Sequence, residues 1–176
     1  MQKVLLHICC GVCAAYCIEK LREDGYAVGG LFFNPNIHPY PEYLKRKQAA
    51  EKVAEEKGVI LEETSYPIFD WLKNHESFSG EKEGGARCAS CYRMRLQQTK
   101  LTAEEKGYDY FTTTLTVSPH KKSAVIFEIG REIGGDRFLA LDFKKNDGFK
   151  KSMAAAKELN LYRQDYCGCV YSKGMV

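Results

Sequence analysis

Cys9-Cys10-Gly11-Val12-Cys13, Cys88-Ala89-Ser90-Cys91 and Cys167-Gly168-Cys169 hold seven of the eight cysteines in this chain. Thiolates are soft donors that select zinc, copper(I) or iron–sulfur clusters over magnesium or calcium. A CxxC spacing lets two sulfurs reach one metal or cluster without strain, and a glycine beside a cysteine permits close backbone approach. A helix N-terminus beside Cys10 or Cys91 favours negative charge, which a thiolate-bound metal carries. One CxxC alone is a weak signal. Three groups in one chain point to a metal or redox site, for which Cys9, Cys10, Cys88, Cys91, Cys167 and Cys169 are the candidate ligands.

Simpler explanations account for less. A structural zinc takes four ligands, fewer than the sulfurs on offer. A dithiol exchanger needs one pair and leaves the rest unexplained. Cys17, in mid-helix, is read as core, and Cys13 is balanced between the core and the site. His7, alternating with apolar neighbours, is read as a satisfied core histidine.

The elements that must position these groups alternate along the chain. Apolar or β-branched runs at 3–8, 26–33, 59–63, 110–116 and 137–141 read as strands. Helices are expected over 12–24, 41–58, 91–106, 121–134 and 149–159. The pattern predicts one α/β domain over 1–176, with a parallel, about five-stranded sheet flanked by helices. The polar, Gly-rich stretch around 64–90 is expected as an insertion or lid, and 160–176 as a cysteine-bearing tail. The Cys9–Cys13 motif follows the first strand, Asn34 the second, and Thr116, Ser118 and His120 the fourth. In a parallel sheet these positions share the carboxyl edge, where ligands bind. Cys88, Cys91, Cys167 and Cys169 are expected outside regular elements, free to fold over that edge.

Bulk properties narrow the class. At 176 residues the chain makes about one domain. No apolar run approaches the roughly 18 residues of a membrane span, and the N-terminal one is too short for a signal peptide, so a cytoplasmic protein is expected. There, clustered cysteines bind metal or do redox chemistry rather than form a disulfide framework. The net charge of +3 announces no strong basic field, although local clusters survive at Arg87/Arg93/Arg95 and Lys121-Lys122.

LLHICCGVC, RCASCYRMR, TTTLTVSPHK and YRQDYCGCVYS, in this order and spanning the chain, together resemble the QueH family of cobalamin-independent epoxyqueuosine reductases. The resemblance implies a HUP-like (adenine nucleotide α-hydrolase-like) fold, a [4Fe–4S] cluster and an external electron donor. It implies reduction of the epoxide of epoxyqueuosine at the anticodon wobble position of tRNA, the last step of queuosine biosynthesis. Relatives of that fold that use ATP carry a Ser/Gly-rich phosphate cradle after the first strand. Cysteines occupy that place here, so ATP use is not expected.

On this basis Cys88, Cys91 and Cys169 are expected to anchor the cluster with Cys10, while Cys9 and Cys167 complete it or bind an adjacent mononuclear iron. Cys9, Cys10, Cys13 and Asp165 are the expected catalytic residues. Asn34, Thr116, Ser118, His120 and Tyr166 are expected to bind substrate, and Arg87, Arg93, Arg95, Lys121 and Lys122 to contact tRNA phosphates. A thiol–disulfide or heterodisulfide-type iron–sulfur reductase and a non-catalytic zinc-dependent tRNA-binding module are the two alternatives.

Overall fold

The computed structural model describes residues 1–173. Of the expected tail, Gly174, Met175 and Val176 lie outside the described residues. Strand β1 (Lys3–His7) leads into α1 (Gly11–Glu23), then β2 (Ala27–Phe32), α2 (Tyr40–Glu56) and the short β3 (Leu61–Glu63). Helices α3 (Ile68–His75) and α4 (Ala86–Glu105) precede β4 (Tyr110–Thr113), and α5 (Ser123–Gly134) and α6 (Gly148–Glu158) complete the fold. The four strands pair in parallel in the order β3-β2-β1-β4.

Both faces of this sheet are covered, as a parallel sheet requires. Successive residues of β1 point to opposite faces, so Val4 and Leu6 join the core beneath α1 and α6, while Leu5 joins the core beneath α4 and α5. All three are fully buried. The carboxyl ends of three strands are tied by one side chain. The His7 ring lies 3.0 Å from the Thr113 hydroxyl through Nδ1 and 3.1 Å from the Phe33 carbonyl through Nε2. Burial, reinforced by the nearby Arg95 charge, pushes His7 down to about 3, so its ring is neutral. It is the satisfied core histidine that its strand position suggested.

Two expectations require correction. The run Arg137–Leu141 is not a fifth strand. Phe138 makes a single parallel bridge to Phe111, after which the hydroxyls of Thr112 and Thr116 take the Leu139 and Leu141 carbonyls, each at 2.8 Å. Side chains have replaced the partner strand, so no ladder forms. Cys88 and Cys91 also lie inside a regular element, because α4 begins at Ala86 rather than 91. Gly85 is its N-cap, and Arg87 draws the preceding loop onto the first turn by donating to the carbonyls of Phe78, Ser79 and Glu81. The stretch 64–85 contains α3 and a single turn of 3-10 helix at Glu76–Phe78, with turns between them and α4.

Candidate metal centre

At the carboxyl edge of the sheet lies a cleft of about 630 Å³, lined by Cys9, Cys13, Cys88, Cys91, Cys167 and Cys169. Three remote parts of the chain therefore bring six thiols to one hollow. The thiols form two groups.

The inner group sits where β1 turns into α1. The Sγ atoms of Cys9, Cys10 and Cys13 all lie within 4.8 Å of one another, and those of Cys9 and Cys10 are 3.8 Å apart. A single tetrahedral ion with metal–sulfur bonds of about 2.3 Å holds its sulfurs about 3.8 Å apart, so this trio has the spacing for one ion. Thr114 fixes Cys9 from both sides. Its hydroxyl donates to the Cys9 sulfur at 3.3 Å and accepts the Cys9 N–H at 3.2 Å. Cys10 is buried outside the cleft lining and accepts from Gln164 Nε2 at 3.0 Å. Hydrogen bonds from Cys10 and Cys13 hold the Cys9 thiol well below its ordinary value against its burial, and Arg95 and Lys121 assist. Cys13 pulls Cys10 down, but the bond to Cys9, burial and the Cys9 charge outweigh it and leave Cys10 at about 11. Cys13 is raised by its bonds to Cys10 and Cys9 and by burial. Of the three, Cys9 is therefore the thiol most readily deprotonated. A soft cation would displace the remaining protons.

The other four cleft-lining thiols form the outer group. Cys88 and Cys91 project from the first turns of α4, and Cys167 and Cys169 come from the tail. Gly84 N–H donates to Cys88 Sγ at 3.1 Å, and Cys169 N–H donates to Cys167 Sγ at 3.4 Å. Cys91 and Cys169 pack with the fully buried Trp71 of α3. Burial raises Cys91, opposed by Arg95. The side-chain hydrogen bond between the two sulfurs lowers Cys167 to about 5, and the same thiol–thiol bond with burial raises Cys169. Cys17 lies in the core beneath α1, where burial raises its thiol.

The tail has little regular structure, yet it is pinned firmly. Arg46 of α2 is 2% exposed. Its Nε donates to Glu42 at 2.7 Å, and its Nη1 and Nη2 donate to the carbonyls of Cys167 and Tyr166, both at 3.0 Å. Glu42 also accepts from the Tyr162 hydroxyl at 2.7 Å. His38 N–H donates to the Gly168 carbonyl at 2.8 Å, and the Tyr166 hydroxyl donates to the His38 carbonyl. Gly168 adopts φ +105° with Arg46 Nη1 and Ile37 against it, a conformation that favours glycine between these two cysteines. Arg46→Ala is therefore expected to release Cys167 and Cys169 while the sheet stays folded. Iron and sulfide per chain should fall severalfold, with far-UV circular dichroism unchanged; full metal content would contradict the clamp.

Of the other residues singled out in the sequence, Asn34, Ser118, His120, Tyr166, Arg87, Arg95, Lys121 and Asp165 line the cleft. Thr116 is buried beneath it, bonded to the Leu141 carbonyl and the Phe143 N–H. Arg93 points elsewhere, pairing with Glu132 at 2.6 Å on the exposed face of α4 and α5. Lys122 is the N-cap residue of α5 and lies outside the cleft lining. Arg87 is 2% exposed with its guanidinium on loop carbonyls. Thr114, Gln164, Arg46 and Trp71 were not singled out in the sequence. Each acts through a contact with a residue far away in the chain, and although Thr114 and Gln164 fall within quoted motifs, nothing there distinguishes them from their neighbours.

The donor set fits a soft metal centre. It consists of thiols with a helix N-terminus at each group and no carboxylate among the closely grouped ligands. Among the described residues no helix is long and apolar enough to cross a membrane.

Comparison with known proteins agrees with this geometry. A protein named Epoxyqueuosine reductase QueH from Dehalococcoides mccartyi is 40% identical over 97% of this chain and 92% of its own length. Proteins of the same name from Staphylococcus epidermidis and Thermotoga maritima are 37% and 34% identical, over 97% and 98% of this chain and 76% and 91% of their own. Among solved structures, the U34-tRNA thiolase NcsA from Methanococcus maripaludis with its [4Fe-4S] cluster aligns with a TM-score of 0.58 at 16% identity. The alignment covers 98% of this chain and 62% of that one, and it establishes the shared HUP-like fold. The profile of the family described as Epoxyqueuosine reductase QueH matches residues 4–175, a span that takes in all three cysteine groups. The chain belongs to the epoxyqueuosine reductase QueH family.

Proposed function

We propose that this oxidoreductase reduces the epoxide of epoxyqueuosine in the tRNA anticodon to the alkene of queuosine, using a [4Fe–4S] cluster held by cleft thiols. One observation carries the proposal: six cysteines from three separate motifs line a single cleft at the ligand-binding edge of the sheet.

The geometry suggests a division of the sulfurs. Cys88, Cys91, Cys167 and Cys169 supply four thiolates, the number that a [4Fe–4S] cluster takes. Cys9, Cys10 and Cys13, spaced for one ion, would hold an adjacent mononuclear iron. This reading differs from the expectation that Cys10 joins the cluster, and it rests on the close grouping of Cys10 with Cys9 and Cys13.

Removal of the epoxide oxygen as water consumes two electrons and two protons and leaves a carbon–carbon double bond. When bound, the cluster supplies electrons one at a time from an external one-electron donor. The chain's own residues do the remaining work. Phe149 and Met153 of α6, with Ile37 and Leu115, give the cleft an apolar wall for the unpaired base and its ring substituent. Lys121 and Arg163 on the cleft lining offer positive charge to the phosphates that flank such a base. His120 and Asp165 are exposed beside the hollow and can deliver protons to the departing oxygen. Asn34, Ser118 and Tyr166 offer polar contacts to the substrate. Such an enzyme belongs in the cytoplasm, where tRNA resides and thiols stay reduced.

The test is iron, acid-labile sulfide and zinc per chain on protein purified without oxygen, followed by turnover of epoxyqueuosine-containing tRNA with a one-electron reductant. About four sulfides, with iron in slight excess over sulfide, are expected together with formation of queuosine. Stoichiometric zinc without sulfide would overturn the proposal in favour of a zinc-dependent tRNA-binding role.

A further inference from the structure

Three arginines of this fold are almost fully buried, and their surroundings differ. Arg46 has a carboxylate and two carbonyls as partners, and Arg87 has three carbonyls. Arg95 has far less. It is 3% exposed, and its Nη1 donates to Asn36 Oδ1 at 3.1 Å and lies 3.9 Å from Cys91 Sγ. Its Nε and Nη2 are buried without any hydrogen-bond partner, and among the described residues no carboxylate forms an ion pair with it. The guanidinium keeps its charge at any pH a protein tolerates. A buried cation left in this state is strongly unfavourable, so an anion is missing from around it.

The position of Arg95 identifies that anion. The side chain lines the thiol cleft beside Cys9, Cys88 and Cys91, and its Nη1 lies 3.9 Å from Cys91 Sγ. An RNA phosphate, which keeps to the accessible rim, would not reach a group this buried. We infer that Arg95 is the counter-charge of the thiolate-held cluster, donating N–H bonds to its sulfur and stabilising its reduced form. The inference rests on the proposal that these thiols hold a cluster. Each added electron increases the negative charge of such a centre, so a fixed cation favours the reduced state and raises the potential. Arg95 thereby tunes the electron transfer without touching the substrate.

Arg95→Met, which removes the charge and the unpartnered donors at similar length, separates this role from a structural one. Metal-free Arg95→Met is expected to unfold at or above the temperature of the metal-free wild type, because the uncompensated cation is gone. The loaded variant should show its reduction equilibrium shifted at least tenfold toward the oxidised form in an EPR-monitored redox titration, about 59 mV for one electron. Arg95→Lys should recover at least half of that shift. Loss of sulfide from Arg95→Met but not from Arg95→Lys would support the same assignment. A lower unfolding temperature for metal-free Arg95→Met would overturn it, because the arginine would then serve the fold itself. An unshifted potential in loaded Arg95→Met would also overturn it while leaving the proposed function intact. Wild-type protein devoid of sulfide would overturn both together.

Discussion

Cys91→Ser is expected to eliminate acid-labile sulfide and with it turnover, whereas Cys13→Ser retains the sulfide and loses about one iron per chain. The contrast follows from the two thiol groups. Cys91 is buried against Trp71 and Cys169, on the outer side of the cleft, and it supplies one of the four sulfurs assigned to the cluster. Serine is a poor ligand for this centre, because the soft iron–sulfur bond has no equivalent in a hydroxyl. Cys13 belongs to the trio within 4.8 Å, whose spacing suits one ion. Turnover should fall at least a hundredfold in Cys91→Ser. Iron and sulfide analysis of the two variants decides the division. Loss of sulfide in Cys13→Ser with retention in Cys91→Ser would reverse the assignment of the groups.

Gly11→Ala is expected to cost about 3 kcal/mol of stability and to abolish metal binding. Gly11 is the first residue of α1, between Cys10 and Cys13, and α2 crosses directly over it. A Cβ at this position would sit 2.4 Å from the Ala49 carbonyl oxygen and 2.6 Å from its carbon. Both are backbone atoms in mid-helix, so no flexible side chain can yield. Either α1 and α2 separate or the turn carrying Cys9 and Cys10 shifts. Gly80→Ala serves as the control, because its position is open, with nothing within 4 Å. Thermal unfolding of both variants tests the point. Equal melting temperatures would show that the glycine beside the paired cysteines answers to some other demand.

Much of this architecture was legible in the sequence because its signals are local. The proline near residue 40 and the glycine after residue 57 mark the ends of α2, and Gly58 indeed adopts φ +58°. The apolar run of β1 and the placement of a cysteine motif at its end follow from pattern alone. The start of α4 was not legible, since a polar, Gly-rich stretch carries no helical period and Arg87 organises it by reaching back to carbonyls. Arg137–Leu141 has the composition of a strand, but threonine hydroxyls from Thr112 and Thr116 capture its carbonyls. At the candidate metal centre the three cysteine motifs were visible from their spacing. Their grouping was not, because it depends on how the tail returns across the sheet. Arg46 looks like an ordinary surface charge in sequence and Arg95 like a phosphate contact, whereas both are almost fully buried.

The clamp between Arg46 and the carbonyls of Tyr166 and Cys167 joins positions 120 and 121 residues apart. All four strands and α1 to α6 precede Cys167 and Cys169 in the order of synthesis. The outer thiol group is the last part of the site to be made. Any metal held by all four of these sulfurs would therefore join a chain whose four strands had already been synthesised.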